Sequence, residues 1–210
     1  LRTYREKRGA RRCLRAPGLL LYGSVTVGPT LAGVVKLEEK ARRAFDGARR
    51  RLDLPDRTDE DFASLYWPLA AWLSERARGR ARPFVFGLNG AQGAGKSTFC
   101  ELLSVVLEVG FMASVVVLSI DDVYLTRSER LQLAQRVHPL CAVRGAPGTH
   151  DLALAHALVD QLSCAAPDEL TALPRFDKAQ DDRKPRDAWD EFRGRPAIIL
   201  FEGWCVAARS

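Results

Sequence analysis

The chain has 210 residues, 47% of them apolar, and a formal net charge of +6 at pH 7. That length suits one domain with extensions, and that apolar share supports a real core, which excludes a chain disordered throughout. Residues 1–82 hold 19 of the 32 Lys and Arg but 10 of the 26 Asp and Glu, so the remainder is acidic on balance and is not read as a nucleic-acid binder.

At the front, Arg2, Arg5, Lys7, Arg8, Arg11, Arg12 and Arg15 face a single acid, Glu6. The apolar stretch over residues 19–35 is broken by Gly23, Gly28, Pro29 and Gly33, so it does not read as a membrane-spanning helix. Residues 1–60 are therefore expected to form a basic extension: a transit-peptide-like segment, a disordered leader or a leader helix. The chain would be cytoplasmic, or lodge in the plastid stroma if the leader is a transit peptide. Within it, residues 37–53 mix charges at helical spacing and read as a solvated helix face or linker. The chain opens on Leu1 and stops soon after a strand-like run at residues 197–201, so both ends are expected to be cut. Phe62, Leu65, Tyr66, Leu69, Trp72 and Leu73 then make an apolar stripe of helical period, which Pro68 interrupts or begins.

Phe84-Val85-Phe86-Gly87-Leu88-Asn89 reads as a short buried strand, and Gly90-Ala91-Gln92-Gly93-Ala94-Gly95-Lys96-Ser97-Thr98 follows it. Gly90, Gly95, Lys96 and Ser97 fit G-x-x-x-x-G-K-[ST]. Glycines let such a loop turn its N–H groups inward on an anion, and the next helix adds its own unpaired N–H groups. Lys96 would neutralise the β- and γ-phosphates, and Ser97 would offer a hydroxyl to Mg²⁺. Phe99, Leu102, Leu103, Val106 and Leu107 mark one face of that helix.

Residues 113–120 are β-branched and apolar, a buried parallel strand that runs into Asp121 and Asp122. One of these carboxylates can act as general base while the other caps a turn; Asp121 is preferred as base and as a further Mg²⁺ contact. Thr126 and Glu129 form a T-x-x-E capping box for a helix through about Arg136. Another helix carries Leu154, Ala155, Leu158, Val159 and Leu162 on one face, and residues 173–190 read as a long surface segment. Residues 197–201 are a third buried strand, ending in Glu202, a second candidate Mg²⁺ ligand. Strands alternating with helices predict an α/β fold with a mostly parallel sheet, in which ligands gather at the carboxyl ends of strands. Arg144, His150, Asp151, Arg175, Asp177, Lys178 and Arg183 lie in loops expected to cross that edge and are the acceptor-side candidates. The five cysteines contain no C-x-x-C pair, so zinc and redox motifs are not expected.

Five blocks carry a family resemblance. They are residues 87–98, 118–126, Arg144-Gly145-Ala146-Pro147-Gly148-Thr149-His150-Asp151, Leu173-Pro174-Arg175-Phe176-Asp177-Lys178 and Leu200-Phe201-Glu202-Gly203-Trp204. In this order they resemble the D-glycerate 3-kinase family, within the uridine kinase and phosphoribulokinase group of P-loop kinases. The resemblance spans residues 62–206 and implies a P-loop NTPase-type three-layer α/β sandwich over residues 61–210, truncated at its C-terminal end. It implies ATP and Mg²⁺ as cofactors and phosphorylation of the C3 hydroxyl of D-glycerate, with no membrane or nucleic-acid partner. By that analogy Asp121 is the base, and Pro174, Arg175, Phe176 and Asp177 match a substrate-gripping P-x-Y-D segment. The glycerate carboxylate would suit Arg144 or Arg175. Another acceptor (uridine, pantothenate or a sugar) and an inactive nucleotide-binding protein are the alternatives. One departure stands out: a glycine-containing loop is expected after the Phe-Asp-Lys block, and residues 179–183 are shorter and lack it.

Overall fold

The computed structural model describes residues 31–55 and 58–206. Helix α1 (Leu31–Arg51) leads. A short α2 (Thr58–Asp61) runs through one π-helical turn (Phe62–Tyr66) into α3 (Trp67–Ala77). The wide turn has a local cause. Pro68 has no N–H to give and its ring crowds the preceding turn, and just before it the Trp67 N–H reaches back five residues to the Phe62 carbonyl. Pro68 is thus absorbed inside a continuous helical rod.

Strand β1 (Phe84–Asn89), α4 (Lys96–Phe111) and β2 (Val115–Ser119) follow, then a 3₁₀ turn (Ile120–Val123), α5 (Arg127–Arg136) and α6 (Leu152–Cys164). The capping box predicted for α5 is present, with Thr126 and Glu129 each bonding the other's backbone N–H. After α6 come β3 (Leu170–Leu173), β4 (Phe176–Asp177), β5 (Asp182–Arg183), β6 (Asp190–Arg193) and β7 (Ile198–Gly203).

The main sheet is parallel throughout, in the order β1-β7-β2. The last strand takes the middle because it is the one apolar on both faces: Ile198, Ile199 and Leu200 have no exposure at all. Alternate residues sort to two cores. Val115, Ile198 and Leu200 pack with α1, α3 and α4, whereas Val116, Leu118 and Ile199 pack with Leu158 and Leu162 of α6 and with Leu173. The fold is a three-layer α/β sandwich.

Two expectations need correcting. Residues 37–53 are not a solvated linker. They lie in α1 and beyond it, and Ala41, Phe45 and Ala48 of α1 are buried against α3 and α4. The closeness of this packing shows at Gly110 of α4, where an added Cβ would lie 2.6 Å from the Trp67 ring and 3.2 Å from Ala41 Cβ. Nor are residues 173–190 a featureless surface segment. β3 pairs antiparallel with β6 and β4 with β5, and Leu173 and Phe176 are buried. Of the basic extension expected over residues 1–60, residues 1–30 lie outside the described residues. Among the described residues no helix is long and apolar enough to cross a membrane.

Candidate active site

The loop between β1 and α4 turns on two glycines in the left-handed region, Gly93 (φ 74°) and Gly95 (φ 78°). A Cβ at either would touch nothing within 4 Å, so conformation rather than space calls for glycine there. Gly95 also precedes the first turn of α4 and brings no side chain to cap it. The leading N–H groups of α4 are thus left for an anion. Lys96 Nζ donates to the carbonyl of Ala91 at 2.8 Å, and Ala94 N–H closes on the same carbonyl, so the loop curls around its lysine.

One residue into α4, Ser97 Oγ donates to Glu202 Oε1 at 2.9 Å. Strand register explains the meeting. Glu202 is level with Leu88 of β1 and Ser119 of β2, at the carboxyl edge of the central strand. Its side chain is 4% exposed, a buried carboxylate. Cys100, one turn further along α4, feels it: burial pushes the thiol up to about 12, and the Glu202 charge adds to that push.

Beyond β2, the 3₁₀ turn sends its two aspartates to different places. Asp121 enters the cavity beside the loop and pairs with Lys178, Oδ2 to Nζ 2.9 Å. That bond is the main reason the Lys178 ammonium holds its proton above the usual lysine range. Asp122 is spent on structure: Oδ2 accepts from Arg175 Nη1 at 2.8 Å and Oδ1 from Phe176 N–H at 3.0 Å. Burial pushes the Asp122 carboxyl up, and these two donors oppose the push. The cavity measures about 760 Å³. It is lined by Gln92, Gly93, Gly95, Lys96, Ser97 and Thr98 of the loop and α4, by the carboxylates Asp121 and Glu202, and by Tyr124, Val143, Arg144, Lys178, Asp181, Gly203 and Trp204. Gly90, Ala91 and Ala94 shape the loop without lining the cavity.

A phosphate-receiving loop and two carboxylates around one cavity are the parts of a phosphoryl-transfer site. No protein-family model matches the chain. Over 142 residues, 64% of this chain and 50% of the other, it is 33% identical to an uncharacterized kinase, mug58, of Schizosaccharomyces pombe. Over 131 residues, 59% of this chain and 28% of the other, it is 33% identical to the chloroplastic D-glycerate 3-kinase of Arabidopsis thaliana. Its fold matches the D-glycerate 3-kinase of Cryptococcus neoformans var. grubii with a TM-score of 0.55 at 30% identity, covering 66% of this chain and 50% of that one. The chain is thus similar to P-loop kinases, D-glycerate 3-kinase among them. It spans about half the length of the first of these curated relatives and less of the second.

In this chain the acceptor-side candidates divide into two groups. Arg144 and Lys178 line the cavity. The other five build its frame. Arg175 bridges Asp122 and Asp190. Asp151 caps α6 through Leu154 N–H and pairs with Arg183, which also donates twice to the Tyr124 carbonyl. Asp177 Oδ1 accepts from the N–H groups of Ala179 and Gln180, pinning the β4–β5 turn. His150 stacks on Tyr124 at 4.1 Å between ring centroids, and burial lowers its pKa. Tyr124, Asp181 and Trp204 also line the cavity, although none was among the candidate site residues. For Asp181 a signal existed: it stands in the loop where the family resemblance led one to expect glycine, and its φ is 55°.

Proposed function

We propose that this chain binds MgATP and transfers the γ-phosphoryl group to the C3 hydroxyl of D-glycerate, giving 3-phosphoglycerate and ADP. The observation that carries the reading is the Ser97–Glu202 contact at the root of α4, with Asp121 on the same cavity. The phosphates would lie on the loop and on the N–H groups of α4. Lys96, now resting on the Ala91 carbonyl, would swing onto the β- and γ-oxygens.

The residues present fit Mg²⁺. Ser97 Oγ and Glu202 Oε1 are hard oxygen donors 2.9 Å apart, and Glu202 is a buried carboxylate. Among the described residues no group of three or more His, Cys, Asp or Glu could hold an ion without further ligands. A sparse oxygen set suits a cation that keeps waters and leans on substrate phosphates. When bound, Mg²⁺ supplies charge neutralisation on the phosphate chain. Ser97 and Glu202 would hold it, with Asp121 nearby.

Asp121 is the group that would take the acceptor's proton. Lys178 holds its Oδ2, and among the described residues Oδ1 has no partner. As the glycerate C3 oxygen bonds to the γ-phosphorus, the bond from that phosphorus to the bridging oxygen breaks. ADP leaves with the electron pair and the hydroxyl proton passes to Asp121. Lys178 keeps that carboxylate in place.

The test is a panel of D-glycerate, uridine and pantothenate with ATP and Mg²⁺, read as ADP release and product mass. Glycerate-dependent ADP with 3-phosphoglycerate supports the reading. Transfer to uridine alone replaces the acceptor, and nucleotide binding with no ADP release rejects the kinase reading for this chain.

A further inference from the structure

Arg130 of α5 is the largest side chain with no solvent exposure. A buried guanidinium is costly unless it is paired and hydrogen-bonded. Its partner is a single residue, Asp181: Nη2 donates to the Asp181 carbonyl at 2.7 Å and to Oδ2 at 2.8 Å. Nε and Nη1 are buried without a hydrogen-bond partner, and the guanidinium lies 5.6 Å from the Phe176 ring centroid. So much buried charge attached to one turn calls for a reason.

The other oxygen of the same carboxylate supplies it. Asp181 Oδ1 lies 2.8 Å from Arg144 Nε in an ion pair, and the Arg144 guanidinium rests 5.3 Å from the same Phe176 ring. Asp181 thus gives one oxygen to a buried arginine and the other to an arginine of the cavity wall, from a left-handed backbone that non-glycine residues seldom adopt. Arg144 spends only Nε on this anchorage. Among the described residues its Nη1 and Nη2 have no hydrogen-bond partner, and it lines the cavity. A guanidinium fixed at Nε and stacked on a ring keeps its paired Nη edge for a carboxylate, in fork geometry.

We propose that Asp181, anchored by the buried Arg130, is a positioning residue that orients Arg144 to grip the carboxylate of the acceptor. This rests on the kinase reading above. Phosphoryl transfer from a fixed nucleotide needs the acceptor hydroxyl held in line, and small misplacements are costly. Gripping the acceptor's far end does that.

The test compares Asp181→Asn, Arg144→Lys and the double variant in the full chain. Asp181→Asn should raise KM for D-glycerate about tenfold, with KM for ATP within about twofold, and should add nothing once Arg144 is Lys. Because Asp181→Asn strands a buried charge, Asp181→Asn combined with Arg130→Met removes both charges. That pair should keep the wild-type Tm and still raise KM for glycerate. Multiplicative effects of the Asp181 and Arg144 changes, or a parallel rise in KM for ATP, overturn the proposal. An independent readout is the ¹⁵N–¹H signal of Arg144 Nε, expected to be protected in the wild type and to lose protection in Asp181→Asn. If the chain phosphorylates no acceptor, the kinase reading fails, and glycerate titration of that signal decides this proposal alone. A shift in the wild type that disappears in Asp181→Asn sustains it; no protection and no shift reject it.

Discussion

Ser97 and Glu202 are 105 residues apart in the chain and meet with 2.9 Å between their side-chain oxygens. One lies in the first turn of α4 and the other next to the end of the central strand, so the contact ties the phosphate loop to the middle of the sheet. Glu202→Gln keeps an acceptor for the Ser97 hydroxyl but removes the charge. It should weaken apparent Mg²⁺ affinity about 10–100-fold in ADP-release assays while leaving Tm nearly unchanged. Ser97→Ala should weaken Mg²⁺ affinity and also cost about 1–3 kcal/mol of stability, because it leaves a buried carboxylate without its hydrogen bond. Mg²⁺ dependence identical to wild type in both variants would remove the metal role from these residues.

The two neighbouring aspartates should separate cleanly. Asp121 faces the cavity, whereas both oxygens of Asp122 are bound by Arg175 and Phe176 N–H. Asp121→Asn is expected to lower kcat about 10²–10⁴-fold with ATP affinity intact, the range for a lost general base. Asp122→Asn should leave kcat within a few-fold and instead cost about 1–3 kcal/mol, since it weakens a half-buried charged pair. Thermal melts beside single-turnover rates would show the split; an equal loss of kcat in both variants would contradict it.

The sequence favoured Asp121 as the base but gave neither aspartate its partner. Adjacent carboxylates at a strand end look alike until the 3₁₀ turn and the β4–β5 hairpin assign each a partner. The phosphate loop, β2, β7 and the α5 capping box were legible because each depends on local signals: glycine spacing, unbroken apolar runs, a T-x-x-E pair. Arg130 was invisible for the opposite reason. It sits in a helix that is mostly polar, and only a turn some fifty residues on, at Asp181, makes its burial tolerable. α1 was misread because Ala41 and Ala48 are weak markers of a buried face and the charges around Phe45 dominate the pattern.

That misreading has a measurable consequence. Phe45 is 1% exposed and its ring lies 5.5 Å from Phe62 and 4.7 Å from Tyr66, which in turn lies 5.1 Å from Phe99 in α4. Phe45→Ala should cost about 3–5 kcal/mol through lost burial and the cavity left behind. At roughly 2–4 °C per kcal/mol for a chain of this size, the fall in Tm is easily resolved. We further propose that a chain starting at residue 61 fails to fold cooperatively, because α1 covers one side of the core. A sharp melt from that shortened chain, at the wild-type temperature, would return α1 to the status of an extension.

Acid should loosen the part of the cavity wall that Tyr124 forms, through His150 stacked on it. Its ring stacks on Tyr124 and its Nε2 is buried without a hydrogen-bond partner. Burial lowers its pKa from the ordinary 6.5, against a smaller opposing pull from the Asp121 charge. Below 6.5 the unfolded chain therefore takes up this proton more readily than the folded one. The stability His150 contributes is complete above that pH and is lost as pH falls toward and through the lowered value. His150→Phe keeps an aromatic face on Tyr124 and removes the titration. Tm measured from pH 7.5 down to 5 should fall more steeply for the wild type than for His150→Phe, with the two curves parallel above pH 7. Curves that stay parallel over the whole range would mean that protonation of His150 is not what destabilises this wall.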